Sequence, residues 1–177
     1  MHLFDLKYSL PAVLILALAL KSGGDPVPQA QVTFQPAAQD TFYVDWEGVA
    51  GRTYFMHFST NLVDWHFAPF IDFGDGAHQR GVHSDSDRFF LRLYYGDFPG
   101  INSLDDAMYA DFDGDGLSNI FEVTYGYDPF ESESTLDGPD AELDPDDDGL
   151  DHATELALGT DPMAKDNPML QLEVTVD

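Results

Sequence analysis

Two stretches of this chain set carboxylates at a spacing suited to holding a hard cation. Residues 111–129 read Asp-Phe-Asp-Gly-Asp-Gly-Leu-Ser-Asn-Ile-Phe-Glu-Val-Thr-Tyr-Gly-Tyr-Asp-Pro. Residues 144–162 read Asp-Pro-Asp-Asp-Asp-Gly-Leu-Asp-His-Ala-Thr-Glu-Leu-Ala-Leu-Gly-Thr-Asp-Pro. The offset is 33 residues, and nine of the 19 positions are identical. Calcium takes six to eight oxygens at about 2.3–2.6 Å. Asp111, Asp113 and Asp115 in the first loop, and Asp144, Asp146 and Asp148 in the second, stand at positions 1, 3 and 5. Carboxylates at those positions converge if the chain turns sharply after them, and Gly116 and Gly149 at position 6 permit that turn. Leu117 and Leu150 at position 7 would offer backbone carbonyls, and Glu122 and Glu155 at position 12 would close each site in bidentate fashion. Four carboxylates per loop repel one another without a cation, so metal binding and local folding are expected to be coupled. Magnesium fits less well, because it favours fewer protein ligands in a strict octahedron.

The loops differ at position 9. Asn119 offers an oxygen in the first, whereas His152 in the second is a poor calcium ligand whose place water would take. The first loop is therefore expected to bind more tightly. Asp147 and Asp151 add charge to the second as solvated neighbours. A short helix is expected after each loop, over 118–125 and 151–158, ended by Gly126 or Gly159 as a left-handed cap. Asp128-Pro129 and Asp161-Pro162 then stop it, with turn formation the expected role of both Asp residues.

The Asp-x-Asp-x-Asp-Gly-Leu core, the Glu and the closing Gly-x-Asp-Pro resemble thrombospondin type 3-like calcium repeats. Dockerins and EF-hands are relatives in loop chemistry. The pattern departs from those relatives at position 8, where Ser118 and Asp151 replace an apolar pairing residue. Pro139 and Pro145 also leave the second loop without a clear entering helix. The resemblance implies a calcium-stiffened connector rather than a paired, switch-like EF-hand.

Composition agrees. Of 33 acids, 19 lie in residues 101–163, which contain no Lys or Arg, and the formal charge of the chain is −26. Such a concentration reads as a cation sink rather than a salt-adapted surface, and it opposes nucleic-acid or anionic-lipid partners. With no cysteine there is no disulfide framework, zinc-thiolate site or thiol nucleophile. Near the start, Lys7 precedes an apolar run from Leu10 to Leu20, too short to span a bilayer of about 30 Å but suited to an export signal. Residues 1–24 are expected to be that signal and the start of a linker. The mature protein is then secreted or held at the cell surface, with no stable membrane span after cleavage.

The elements before the loops read as strands. Phe42, Val44 and Trp46 share one face, Tyr54, Met56 and Phe58 another, and Phe89, Leu91 and Leu93 a third, with glycines between the runs. An antiparallel β-sandwich is expected over 30–98, the tandem repeats over 101–163 and a tail strand within 164–177, giving a mainly β chain with a small α part. A helical turn capped by Ser103 is expected near 103–110, and 130–143 reads as a connector. Trp46-Glu-Gly-Val-Ala-Gly-Arg-Thr-Tyr54, Ser59-Thr-Asn-Leu-Val-Asp-Trp65 and Arg88-Phe-Phe-Leu-Arg92 resemble a fibronectin-like β-module of secreted bacterial proteins. That resemblance implies a spacer or adhesive unit without catalytic residues.

Other chemistry is sparse. His57, His66, His78 and His83 lie in the β-region near Asp85 and Asp87, and a transition-metal set of His78, His83 and Asp85 has no diagnostic spacing. No nucleophile elbow, phosphate loop or His-Glu-x-x-His motif is present. The expected role is a non-enzymatic, calcium-binding structural or adhesion module, with an extracellular protein or a glycan as partner class. The alternative is a carbohydrate-binding sandwich, with Trp65, Phe67 or Tyr94 as stacking platform and the repeats as stalk.

Overall fold

The computed structural model describes residues 30–34, 41–83 and 88–166. The expected signal segment and the run Leu170–Val176 lie outside them. The chain divides into two compact units, Met1–Met108 and Tyr109–Asp177.

The first unit is built from β1 (Ala30–Phe34), β2 (Thr41–Gly48), β3 (Thr53–Ser59), β4 (His66–Phe73), β5 (Gly76–His83) and β6 (Phe90–Gly96). They form two antiparallel three-stranded sheets, ordered β1-β2-β5 and β4-β3-β6. Alternation explains the shared core. Val44 and Trp46 from one sheet meet Tyr54, Met56, Ala68, Leu91, Leu93 and Tyr95 from the other, with Phe89 beside them. The other face of β3 is also buried, which simple alternation does not foresee. Phe55 is fully enclosed and His57 is 8% exposed, packed with Phe67 and Tyr94 on the neighbouring strands. A bulge in the β3–β4 pairing falls between Phe55 and His57, and the edge strand β4 carries Pro69 there, where no ladder donor is lost.

These contacts settle several side chains. Phe67 is 6% exposed and stacks on His57, so it is a core residue and not a sugar platform. The half-buried Trp65 has the Arg92 guanidinium 3.9 Å from its ring centroid. Arg92 also donates to Nδ1 of His57 at 3.0 Å. Burial, and then the adjacent Arg92 charge, push the His57 pKa down to about 4, so this imidazole is neutral. His78 stacks on Trp46 and its Nε2 lies 3.2 Å from the Gly74 carbonyl; the side chains of His83 and Asp85 are outside the described residues. The turn Ser59-Thr-Asn-Leu-Val-Asp-Trp65 is held by its own polar side chains. Ser59 Oγ accepts from the Leu62 amide, Asn61 Oδ1 accepts from those of Val63 and Asp64, and Leu62 takes φ of 65°. Beyond β6, α1 (Leu104–Tyr109) starts at Ser103, whose hydroxyl accepts from the Asp106 amide at 3.0 Å, as a cap should.

The second unit contains α2 (Asn119–Tyr125), a 3-10 turn at Asp140–Glu142 and α3 (His152–Leu158). Each helix follows one of the acidic loops and ends at a left-handed glycine. The Gly126 and Gly159 amides return to the carbonyls of Glu122 and Glu155.

Candidate metal centre

The two loops repeat in backbone hydrogen bonding as well as in sequence. Gly116 N–H donates to Asp111 Oδ2 at 3.1 Å, and Gly149 N–H to Asp144 Oδ2 at 2.9 Å. Asp115 N–H donates to Asp113 Oδ1, and Asp148 N–H to Asp146 Oδ1. Leu117 N–H donates to Asp115 Oδ1 at 2.8 Å, and Leu150 N–H to Asp148 Oδ1 at 2.9 Å. Asp113, Asp115, Asp146 and Asp148 thus brace the loops through Oδ1, while Asp111 and Asp144 do so through both oxygens, Asp111 Oδ1 accepting from the Gly114 amide and Asp144 Oδ1 from that of Asp148. Gly116 and Gly149 take φ of 100° and 91°, confirming the turn that position 6 requires. Position 4 is left-handed as well, with Gly114 at 83° and Asp147 at 59°. Asp147 therefore has a conformational duty in addition to its charge.

Position 8 caps the helix. Ser118 Oγ accepts from the Phe121 amide at 3.4 Å, and Asp151 Oδ1 from the Thr154 amide at 2.8 Å. That explains the departure from the apolar residue usual in EF-hands. Asp128 and Asp161 make the expected turns, accepting from the Phe130 and Met163 amides.

In each loop the braced acids also converge. Ligand oxygens of Asp111, Asp113 and Asp115 lie within 4.8 Å of one another, as do those of Asp144, Asp146 and Asp148. Two further groups complete the picture, Asp115 with Glu122 and Asp140, and Asp148 with Glu155 and Asp166. Glu122, Glu155 and Asp140 are fully buried. Asp140 and Asp166 are absent from the sequence expectation. Asp140 comes from the segment read as a connector, which instead makes a β-bridge between Thr135 and Gly138 and the 3-10 turn. Its carboxylate accepts from both the backbone and the hydroxyl of Ser134. Both acids lie outside the 19-residue repeat, so its pattern does not point to them.

Two expected ligands have other work. Asn119 Oδ1 accepts from the Phe112 amide at 3.2 Å, bracing the loop entrance. His152 does not join the acids of the second loop. Its Nδ1 lies 2.8 Å from the Asp140 carbonyl, and its ring meets Phe121 and Tyr127 edge-on at 5.3 and 5.2 Å. An imidazole is large and partly apolar, and the aromatic residues of the first repeat give it a dry seat. The position-7 residues Leu117 and Leu150 bury their side chains, at 0% and 7% exposure.

The electrostatics are those of a site built for a cation. Burial, then repulsion from Asp113, Asp115, Asp111 and Asp140, pushes the Glu122 pKa up to about 9. Burial raises Asp128 to about 6, and raises Asp113, Asp115 and Glu155 above the ordinary carboxylate range. Oxygens without a hydrogen-bond partner remain buried on Asp113, Asp115, Glu122, Asp146, Glu155 and Asp166. Leaving such acceptors bare costs free energy that a bound cation would recover. An all-oxygen donor set is the chemistry of calcium rather than of a softer metal.

The sequence model of the bacterial TSP3 repeat matches residues 111–131 and 144–165. TSP3 repeats are calcium-binding repeats, and the segments matched here are the two loop-helix units just described. Neither curated proteins nor solved structures return a match to the chain. Among the described residues no helix is long and apolar enough to cross a membrane.

Proposed function

We propose that calcium occupies both acidic loops and stiffens the second unit, making this chain a structural or adhesive module displayed outside the cell. The observation that carries the reading is the convergence of buried carboxylate oxygens on one point in each repeat. Asp111, Asp113, Asp115, Glu122 and Asp140 would hold one site, and Asp144, Asp146, Asp148, Glu155 and Asp166 the other. Bound calcium supplies the positive charge that lets these acids stay ionised in a compact fold. In this reading the first site is the tighter of the two, since the half-buried Asp128 adds negative charge near Asp113 and Asp140.

The first unit carries no part of this chemistry in our reading. It acts as a fibronectin-like spacer that presents the repeats, and the whole chain binds rather than catalyses. The export-signal pattern at residues 1–24 and the repeat type support an extracellular location. Hydrogen exchange with calcium and with chelator tests the proposal. Residues 111–166 should gain protection with the ion while 53–96 stay unchanged; equal exchange in both conditions would refute it.

A further inference from the structure

His152 stands at position 9 of the second loop, yet its ring reaches back to the first repeat. It is fully buried and holds the 3-10 turn of Asp140–Glu142 at both ends. Its backbone N–H donates to the Leu143 carbonyl at 3.0 Å, and its Nδ1 lies 2.8 Å from the Asp140 carbonyl. A carbonyl oxygen only accepts, so Nδ1 carries the proton of that bond. The same ring meets Phe121 and Tyr127 edge-on. Phe121 precedes Glu122 in α2, and the Tyr127 amide donates to the Glu122 carbonyl at 2.8 Å. One imidazole therefore touches both the turn that carries Asp140 and the helix that carries Glu122.

Asp140 needs such a hold, because the first loop does not set its position. It lies 25 residues beyond Asp115, yet its ligand oxygen is within 4.8 Å of those of Asp115 and Glu122. Its own neighbours fix the shape of the turn. The Asp140 amide donates to the Ser132 carbonyl at 3.0 Å, and its carboxylate accepts from the Ser134 amide and hydroxyl. His152 ties that turn to the first repeat.

We propose that His152 is a positioning residue of the first metal site, holding Asp140 against Asp115 and Glu122, although by sequence it belongs to the second loop. The inference rests on the reading above that Asp140 is a ligand of that site. A residue of the second repeat thereby sets the affinity of the first. Without the Nδ1–H donor, the Asp140 carbonyl is left with the 3.4 Å bond from the Leu143 amide. Ordering the turn then draws on the binding energy of the ion.

Site-resolved calcium titration of the full chain by NMR tests this with two variants. His152→Phe keeps a ring beside Phe121 and Tyr127 but has no donor, whereas the amide of His152→Asn donates from near the place of Nδ1. His152→Phe should weaken the first site about tenfold and leave the second unchanged, and His152→Asn should recover most of that loss. In an Asp140→Asn background His152→Phe should add little, because the ligand it positions is already gone. An unchanged first site, an equal loss in the Asp140→Asn background, or a loss confined to the second site overturns the proposal. One reading needs no variant: the calcium-loaded chain should show a slowly exchanging His152 Nδ1 proton, and a proton placed on Nε2 instead would also overturn it. Absence of calcium uptake by the unaltered chain would remove the calcium reading and this inference together. Uptake at two sites, with the first indifferent to His152, would remove this inference alone.

Discussion

At the scale of single residues, the acids divide into those that brace and those that wait for charge. Asp111 and Asp144 receive backbone amides, whereas Glu122 has two buried oxygens without a partner. In the proposed first site Asp140 joins the ligands although it lies outside the first loop. Asp140→Asn should therefore weaken calcium binding at the first site on the order of tenfold or more and leave the second unchanged, as site-resolved titration by NMR would show. A matching loss at both sites would mean that Asp140 acts only through the fold. Asp147 makes a separate prediction. Its φ of 59° occupies the place of Gly114, so Asp147→Gly should raise stability by up to about 1 kcal/mol in thermal melts of the calcium-loaded protein. His57 sets an acid limit for the first unit. Its folded pKa of about 4 is below the ordinary histidine value, so the folded state holds fewer protons in between. Stability from this group is full above about pH 6.5 and is lost as pH falls toward 4, by at most about 3 kcal/mol. His57→Phe should flatten that pH dependence in denaturant titrations.

At the scale of elements, much was legible because the loops are dictated by local chemistry. Carboxylates at alternate positions, glycine where φ must be positive and a glycine helix stop all act within a dozen residues. The helices at Asn119–Tyr125 and His152–Leu158 accordingly fall where the pattern puts them. Position 8 is less legible, because Ser118 and Asp151 stand where related loops carry an apolar pairing residue, and each instead caps the helix that follows. Replacing either by Ala should destabilise its repeat by about 1 kcal/mol in chemical denaturation. The sheet was legible on one face only. Alternation located Val44, Trp46, Tyr54, Met56, Leu91 and Leu93 in the core, but Phe55 and His57 are buried on the opposite face of β3. His152 likewise could not be placed from its own loop, since its partners Phe121, Tyr127 and the Asp140 carbonyl come from farther back in the chain. Asp140 and Asp166 fail to show in the sequence for the same reason. Contacts between segments have no period.

At the scale of the whole molecule, the chain joins a β-rich unit stabilised by aromatic packing to an acidic unit with few apolar residues at its centre. In the metal-free state the raised carboxylate pKa values work against the second unit. A folded pKa above the unfolded value means that the folded state binds more protons, so stability falls as pH rises from about 4.5 to 9 for Glu122. Bound calcium would reverse the penalty by displacing those protons, so proton release is expected on binding at neutral pH. Calorimetric titration of calcium into the intact chain, in two buffers of different ionisation enthalpy, with melting followed in calcium and in chelator, tests this most directly. Two sites with dissociation constants on the order of 10⁻⁴ to 10⁻⁶ M, proton release and a higher melting temperature in calcium are expected. No binding heat in either buffer and the same melting temperature in calcium and chelator would contradict calcium as the organiser of residues 111–166.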